Sequence, residues 1–426
     1  MDNMNFLNFA YDGKVGSGPT WQWYLNIYDN TFYPTNGPYE DCCYDYHAPI
    51  QTVFEENGVK TKSITMQEAL GSQDKFVYVL TFRYLSRTVL NQHTQPNIPR
   101  DYNFFEHLPI GIISAVNSGR CILILNDALE SNVYTNEFYQ QLKRKILKAS
   151  LDCSKVLLIT GNPENSRSDF DIKLVFWQYF ETAIRLCDRL YDSKFNHTRL
   201  DYQLIPSVKK FLCLNRIPRE VRFYFMYKIY QKGLRHEFNA SLKKIDDIYE
   251  IVSDCNNAFI NQIKDDACFL EMLKTLPWII DSDKFESNHW AEMNFDFKSS
   301  SLIMITTETL FNVDPKNLFL TEKTFKPILL GMPFIVIGNP YILKRLKQLG
   351  YKTFSTLWDE SYDEELNCQK RISMIIDLIE NISTKYTNLE LYNLIEENQH
   401  IMIHNYNLLK SRRPEKDIIN LITGKI

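Results

Sequence analysis

SLIMITTETLFNVDPKNLFLTEKTFKPILLGMPFIVIGNP, residues 301–340, holds two short and almost wholly apolar runs, 301–305 and 333–337, either side of a loop and a helical stretch. Runs of four or five residues that are apolar throughout, rather than alternating, suit central strands of a parallel sheet covered on both faces. The first run ends at Thr306-Thr307-Glu308. A loop through Asp314-Pro315 leads to Leu320-Thr321-Glu322-Lys323-Thr324 and a short helix, with Gly331 as its stop and Pro333 just beyond. Thr324 is the expected N-cap, which puts Pro327 at the third helical position, where its missing N–H costs no hydrogen bond. Strand, helix and strand in that order form one unit of an α/β layer.

The same kind of run recurs upstream at 76–80 (FVYVL), 121–125 (CILIL) and 156–160 (VLLIT), with 211–214 (FLCL) as a sixth candidate. Turn residues follow them: Asn126-Asp127, Gly161-Asn162-Pro163 and Gly338-Asn339-Pro340. Between the runs, 172–191, 221–234 and 373–382 carry apolar residues at helical spacing, and 388–409 reads as one or two terminal helices. A polar, proline-containing stretch at 190–207 separates three strands from the next three. The expected organisation is therefore an N-terminal α/β domain over 1–200, a C-terminal α/β domain over 201–385 and a helical segment over 386–426. The first 70 residues are aromatic and loop-rich, with turn signals at 16–19 and 36–38, and carry no assignable element.

Composition narrows the class. Apolar residues are 44% and charged residues 23% of the 426, which excludes intrinsic disorder, collagen-like repetition and a coiled-coil rod. Lys plus Arg is 48 against 52 for Asp plus Glu, so the net charge of −4 speaks against coating long DNA by bulk charge, while a local basic cleft stays open. No stretch approaches 18 apolar residues, and MDNMNFLNFAYDGK lacks the basic and apolar regions of a signal peptide. The nine cysteines are scattered, odd in number and without C-x-x-C spacing, which fits core thiols in a reducing cytoplasm. G-x-S-x-G, G-x-x-x-x-G-K-[ST] and G-x-G-x-x-G are all missing, so hydrolase, P-loop and dehydrogenase readings lack their anchors.

Two segments carry chemistry. Glu322 and Lys323 lead into a helix N-terminus, a favourable place for a phosphate, and the lysine adds a full positive charge. A carboxylate beside them can accept both hydroxyls of a ribose, so the pair suits a nucleoside diphosphate. The plain alternative is a Glu-Lys pair solvating a helix start. In 211–233, FLCLNRIPREVRFYFMYKIYQKG, a strand ends at Asn215 and a proline turn opens a helix. Arg216, Arg219 and Arg222, three residues apart, can clamp phosphate oxygens bidentately there. The alternative is three solvated arginines, although cations are mildly unfavourable at that helix end. No metal is demanded. Asp169-Phe170-Asp171 and Asp281-Ser282-Asp283 occur about as often as chance gives, and His400 with His404 has no third ligand nearby.

The ordered set from Leu320 to Pro327, followed by Gly331-Met332-Pro333-Phe334-Ile335-Val336, resembles the donor-binding motif of α-1,3-fucosyltransferase-like glycosyltransferases. It is closer still to a group of virus-encoded glycosyltransferase-like proteins. These share the long motif, the LNR-x-P-R stretch, Gly350-Tyr351-Lys352-Thr353-Phe354 and Trp358-Asp359-Glu360-Ser361-Tyr362. The resemblance covers residues 211–363, under half of the chain, and stops short of the N-terminal half. It implies a GT-B fold, two Rossmann-like domains with parallel sheets facing across a cleft, the donor in the C-terminal one. It also implies a diphosphate contact from Arg219 or Arg222 after Asn215 and donor-binding roles for Glu308, Thr321, Glu322, Lys323 and Thr324, while Arg216 joins the donor-binding candidates from the residue pattern alone.

The implied reaction transfers a sugar from a nucleoside-diphosphate-sugar to an acceptor hydroxyl with inversion, without a metal or a further cofactor. A base deprotonates the acceptor while the diphosphate leaves, its growing charge stabilised by Lys323 and the arginines. Asp127 and Glu130, after CILIL, and Glu106 beside His107 are the candidate bases, each with a plain reading as turn or cap residue. The acceptor is expected to be a glycan. A modified DNA base is the second choice, given Trp21, Trp23, Tyr24, Tyr44 and Tyr46, which can stack on sugars or bases. A non-catalytic binding protein that kept the fold is the third.

Overall fold

The computed structural model describes residues 6–11, 23–26, 31–34, 48–81, 85–90, 103–128, 133–165, 171–190, 208–215, 217–253, 255–280, 299–311 and 318–424. The chain is α/β and forms two compact units, Met1–Ala183 with Arg413–Ile426, and Ile184–Arg412. Each unit contains a sheet of mainly parallel strands.

The first unit holds β1 (Leu7–Tyr11), β2 (Trp23–Asn26), β3 (Thr31–Pro34), β4 (Thr61–Thr65), β5 (Phe76–Thr81), β6 (Cys121–Asp127), β7 (Val156–Thr160) and β8 (Lys173–Phe176). The order is β3-β2-β5-β6-β7-β8, with β1 bonded to β4 and β5. Every pairing is parallel except β2 with β3. β6 is buried along its whole length, as a run apolar on both faces requires. Phe138, Leu142 and Ile146 of the helix Asn136–Lys148 pack with Leu123 and Leu125 in one core. At the carboxyl edge, Gly161 lets β7 turn against β6, because a Cβ there would stand 2.2 Å from the Ala128 carbonyl oxygen.

The second unit holds β9 (Lys209–Asn215), β10 (Phe238–Leu242), β11 (Ser301–Thr307) and β12 (Phe334–Ile337), all parallel, in the order β10-β9-β11-β12. From β9 the chain moves outward to β10, then returns across β9 to β11 and continues the other way to β12. Right-handed crossovers therefore put the helices Glu220–Gln231 and Glu322–Leu330 on opposite faces. The loops at the carboxyl ends of β9 and β11 separate there, which is where α/β sheets bind ligands.

Several expectations change. Residues 173–176 form β8, and the helix expected over 172–191 is confined to Tyr179–Leu190. The boundary between units falls inside that helix rather than near 200, and residues 191–207 lie outside the described ones. Residues 386–426 do not form one segment. The helices Asn388–Glu397 and Gln399–Ser411 belong to the second unit, where Asn388 Nδ2 donates to the Val208 carbonyl (2.8 Å) and Asn405 exchanges two 2.8 Å hydrogen bonds with the Lys352 backbone. The helix Lys416–Thr423 belongs to the first. Just before it, buried Glu415 accepts from Asn57 Nδ2 (3.3 Å) and Thr182 Oγ1 (3.2 Å), and Ile418, Ile419 and Ile422 are buried beyond. Among the described residues no helix is long and apolar enough to cross a membrane.

Candidate functional site

β9 and β11 are neighbours in register, so the two segments singled out for chemistry end at one edge of one sheet. Asn215, last in β9, is fully buried and its Oδ1 accepts from Thr307 Oγ1 at 2.6 Å, joining the two strand ends. Ser241 Oγ of β10 accepts the Asn215 N–H at 3.1 Å.

Glu308, the next residue after β11, is the hub. Its N–H donates to the Ile337 carbonyl of β12 at 2.8 Å. Its carboxylate, 1% exposed, accepts four hydrogen bonds: Thr321 N–H (3.1 Å) and Thr324 Oγ1 (2.5 Å) on one oxygen, Thr321 Oγ1 (2.6 Å) and Thr309 N–H (3.2 Å) on the other. Glu308 is thus a clamp on the helix start. Its expected place at the donor site is reached through Thr321 and Thr324, which it holds.

The helix begins at Glu322 with Thr321 as N-cap, its Oγ1 accepting the Lys323 N–H at 3.3 Å. Thr324, the expected cap, spends its hydroxyl on Glu308 instead. Pro327 consequently lies at the sixth helical position, where it removes the N–H that the Lys323 carbonyl would otherwise accept. Gly331 ends the helix as expected, at φ +63°, with its N–H on the Ile328 carbonyl.

Lys323 Nζ lies 2.5 Å from Glu322 Oε1 and 3.4 Å from the hydroxyls of Thr309 and Thr321. The Glu322 carboxyl is held below the usual carboxylate range. Burial is the strongest single influence and pushes it up, but the charges of Lys323 and Lys326, with the Lys323 hydrogen bond and Glu322's own N–H, together prevail. The Glu322–Lys323 pair is partly open to solvent, at 11% and 28% of the side chains. It offers an ammonium beside a carboxylate at a helix N-terminus, complementary to a phosphate next to a diol.

The arginines divide. Arg222 is buried, donating to the Ile217 carbonyl (3.1 Å) and the Thr307 carbonyl (3.2 Å). It ties the loop after β9 to the end of β11, rather than presenting its fork to a phosphate as expected. Arg219 occupies the N-cap position of the helix Glu220–Gln231 and bridges in parallel to Val252. Arg216 lies outside the described residues. Glu220, which the sequence did not single out, takes the N–H groups of Cys255 (2.9 Å), Asn257 (3.1 Å) and Phe259 (2.7 Å), fastening the segment after β10.

The candidate bases of the first unit are not brought together. Asp127 is 1% exposed, with Oδ1 on the Leu85 N–H (3.1 Å) and Oδ2 on the Tyr134 hydroxyl (2.5 Å). Enclosed in this way it braces the carboxyl edge. Glu106 is exposed and paired with Lys148 at 3.0 Å. Lys148 ends a helix that leads into β7, so Glu106 lies at the amino edge, opposite Asp127. Glu130 lies outside the described residues, as do Trp21, Tyr44, Tyr46, Asp169, Asp281 and Asp283. Asp171 pairs with Lys143, and His404 Nε2 meets the Gly350 carbonyl at 2.9 Å.

The runs that extend the resemblance are packing devices. Glu360 accepts from Thr353 Oγ1 (2.6 Å) and the Phe354 N–H (2.7 Å), and Asp363 caps the helix Ile342–Gln348 through the N–H groups of Leu343 (2.8 Å) and Lys344 (2.9 Å). Among the described residues no three His, Cys, Asp or Glu side chains gather closely enough to hold a metal ion. No known protein family, curated protein or solved structure matches the chain.

Proposed function

We propose that the chain is a GT-B-type glycosyltransferase that binds a nucleoside-diphosphate-sugar on its second unit and transfers the sugar to an acceptor hydroxyl. The observation that carries this reading is the Thr321–Lys323 helix start, clamped by Glu308 at the carboxyl edge where the strand order reverses between β9 and β11. The resemblance of residues 320–336 to fucosyltransferase-like donor motifs supports it.

In the proposed reaction the acceptor oxygen attacks the anomeric carbon from the face opposite the diphosphate, with inversion. The terminal phosphate, singly charged in the donor, takes the electron pair of the broken anomeric C–O bond and gains a second negative charge. Lys323 and the helix N-terminus stabilise that charge more strongly than the charge of the intact ester. Glu322 exchanges its lysine partner for the ribose hydroxyls as Lys323 turns to the phosphate. The base that takes the acceptor proton is left unassigned. Asp127 is enclosed and Glu106 is at the amino edge of its sheet, so neither carries that role forward. A glycan is the proposed acceptor, consistent with the net charge of −4.

A thermal-shift panel of GDP, UDP, ADP, CDP and dTDP with their sugar conjugates tests the reading. One base should raise the melting temperature by several degrees, and Glu322→Ala and Lys323→Ala should abolish that shift while the proteins stay folded. If no nucleotide stabilises the protein, the donor-site reading is wrong. Binding without turnover on any glycan or DNA acceptor would mark a binding protein that kept the site.

A further inference from the structure

Arg371, in the first turn of the helix Cys368–Lys385, is 1% exposed. Its guanidinium is spread over backbone carbonyls: Nε to Gly338 (3.1 Å), Nη1 to Glu365 (2.8 Å) and Leu366 (3.4 Å), and Nη2 to Phe311, whose ring it also covers at 4.4 Å. Desolvating a cation to hold carbonyl dipoles is costly, and an apolar side chain would fill such a space more cheaply. What the charge holds is therefore informative.

Gly338 and Phe311 are the two backbone segments flanking Glu308. Phe311 follows it by three residues. Gly338 lies against it so closely that an added Cβ would be 3.1 Å from Glu308 Cβ and 2.4 Å from Ile342 Cδ1. Between these walls the Glu308 carboxylate reaches Thr321 and Thr324.

We propose that Arg371 is a positioning residue for the nucleotide site: by fixing Gly338 and Phe311 it sets where Glu308 stands, and so how the Thr321–Lys323 helix start is presented to a diphosphate. The ligand part of this inference rests on the donor-site reading, and the clamp part does not. Lysine at 371 keeps the charge, but a single ammonium cannot span Gly338, Phe311 and Glu365 together.

The test uses the full chain, hydrogen exchange by mass spectrometry and calorimetry with inorganic pyrophosphate and the nucleoside diphosphates. In Arg371→Lys, amides over 318–326 should exchange about tenfold faster while β9 and β11 keep their protection, and ligand Kd should rise about tenfold. Gly338→Ala presses on Glu308 from the same wall and should reproduce the local change, its effect combining with Arg371→Lys to less than the sum. It also serves if Arg371→Lys fails to fold. Lys210→Met is the control. It breaks a buried pair with Glu237 (2.9 Å) near the start of β9, so it should lower the melting temperature without touching 318–326 or the affinity. Unchanged protection over 318–326 in both folded variants, or acceleration spread evenly through the second unit, overturns the proposal. If the parent protein binds none of the ligands and 318–326 still loses protection, the clamp stands and the donor-site reading falls.

Discussion

Glu308 accepts four hydrogen bonds from neutral donors, and a single-atom change should expose what that is worth. In Glu308→Gln the amide oxygen keeps two of the four and the amide nitrogen, a donor, faces the other two, a backbone N–H and a threonine hydroxyl. A loss of about 2–4 kcal/mol is expected, measured by urea unfolding of the second unit. Glu322 offers a different test. Its folded carboxyl titrates below its ordinary value, so its charge stabilises the fold above that value and the benefit is lost as pH falls through the depressed one. The melting-temperature advantage of the parent over Glu322→Gln should stay level from pH 7 to about pH 5 and close only at lower pH. The Glu322–Lys323 pair was legible in the sequence because the two residues adjoin. The clamp by Glu308 and the brace by Arg371 were not, because they join residues far apart in the chain, and hydrophobic periodicity carries no information about which polar groups meet.

At the scale of elements, short apolar runs mark β5, β6, β7, β9, β11 and β12, whose apolar residues are mostly buried. β10, FNASL, went unread because Asn239 and Ser241 interrupt it. It is an edge strand with uses for both residues: Asn239 Nδ2 reaches the Ser300 carbonyl at 3.0 Å and Ser241 caps Asn215. β8, KLVF, merged with the helical pattern that follows it. The N-cap falls at Thr321 rather than Thr324 for a tertiary reason: the two have the same local propensity, and Glu308 decides between them. Thr321→Ala should cost more than the ~1 kcal/mol of an ordinary N-cap, since its hydroxyl serves both Glu308 and Lys323, and thermal denaturation beside Thr324→Ala measures the difference. Gly161→Ala, which forces a methyl onto the Ala128 carbonyl oxygen, should destabilise the first unit by about 1–3 kcal/mol or more. Hydrogen exchange over β6 and β7 locates that loss.

At the scale of the whole molecule, the parallel order β10-β9-β11-β12 gives the second unit a single reversal, with Asn215, Thr307 and Glu308 at its carboxyl edge. Alternating strands and helices made the α/β class readable, whereas strand order depends on which edges pair and is not written in any local run. The return of residues 413–426 to the first unit was equally silent, since its apolar residues would suit either partner. Removing these residues should weaken the first unit, which loses Glu415 and three buried isoleucines, and leave nucleotide affinity in the second unchanged. Differential exchange on the truncated chain tests this.

That returning tail also sets an order of assembly during synthesis. Ile184–Arg412 is continuous and can fold as soon as it has emerged from the ribosome. The first unit gains the hydrogen bonds of Asn57 and Thr182 to Glu415 only after that continuous stretch has been made.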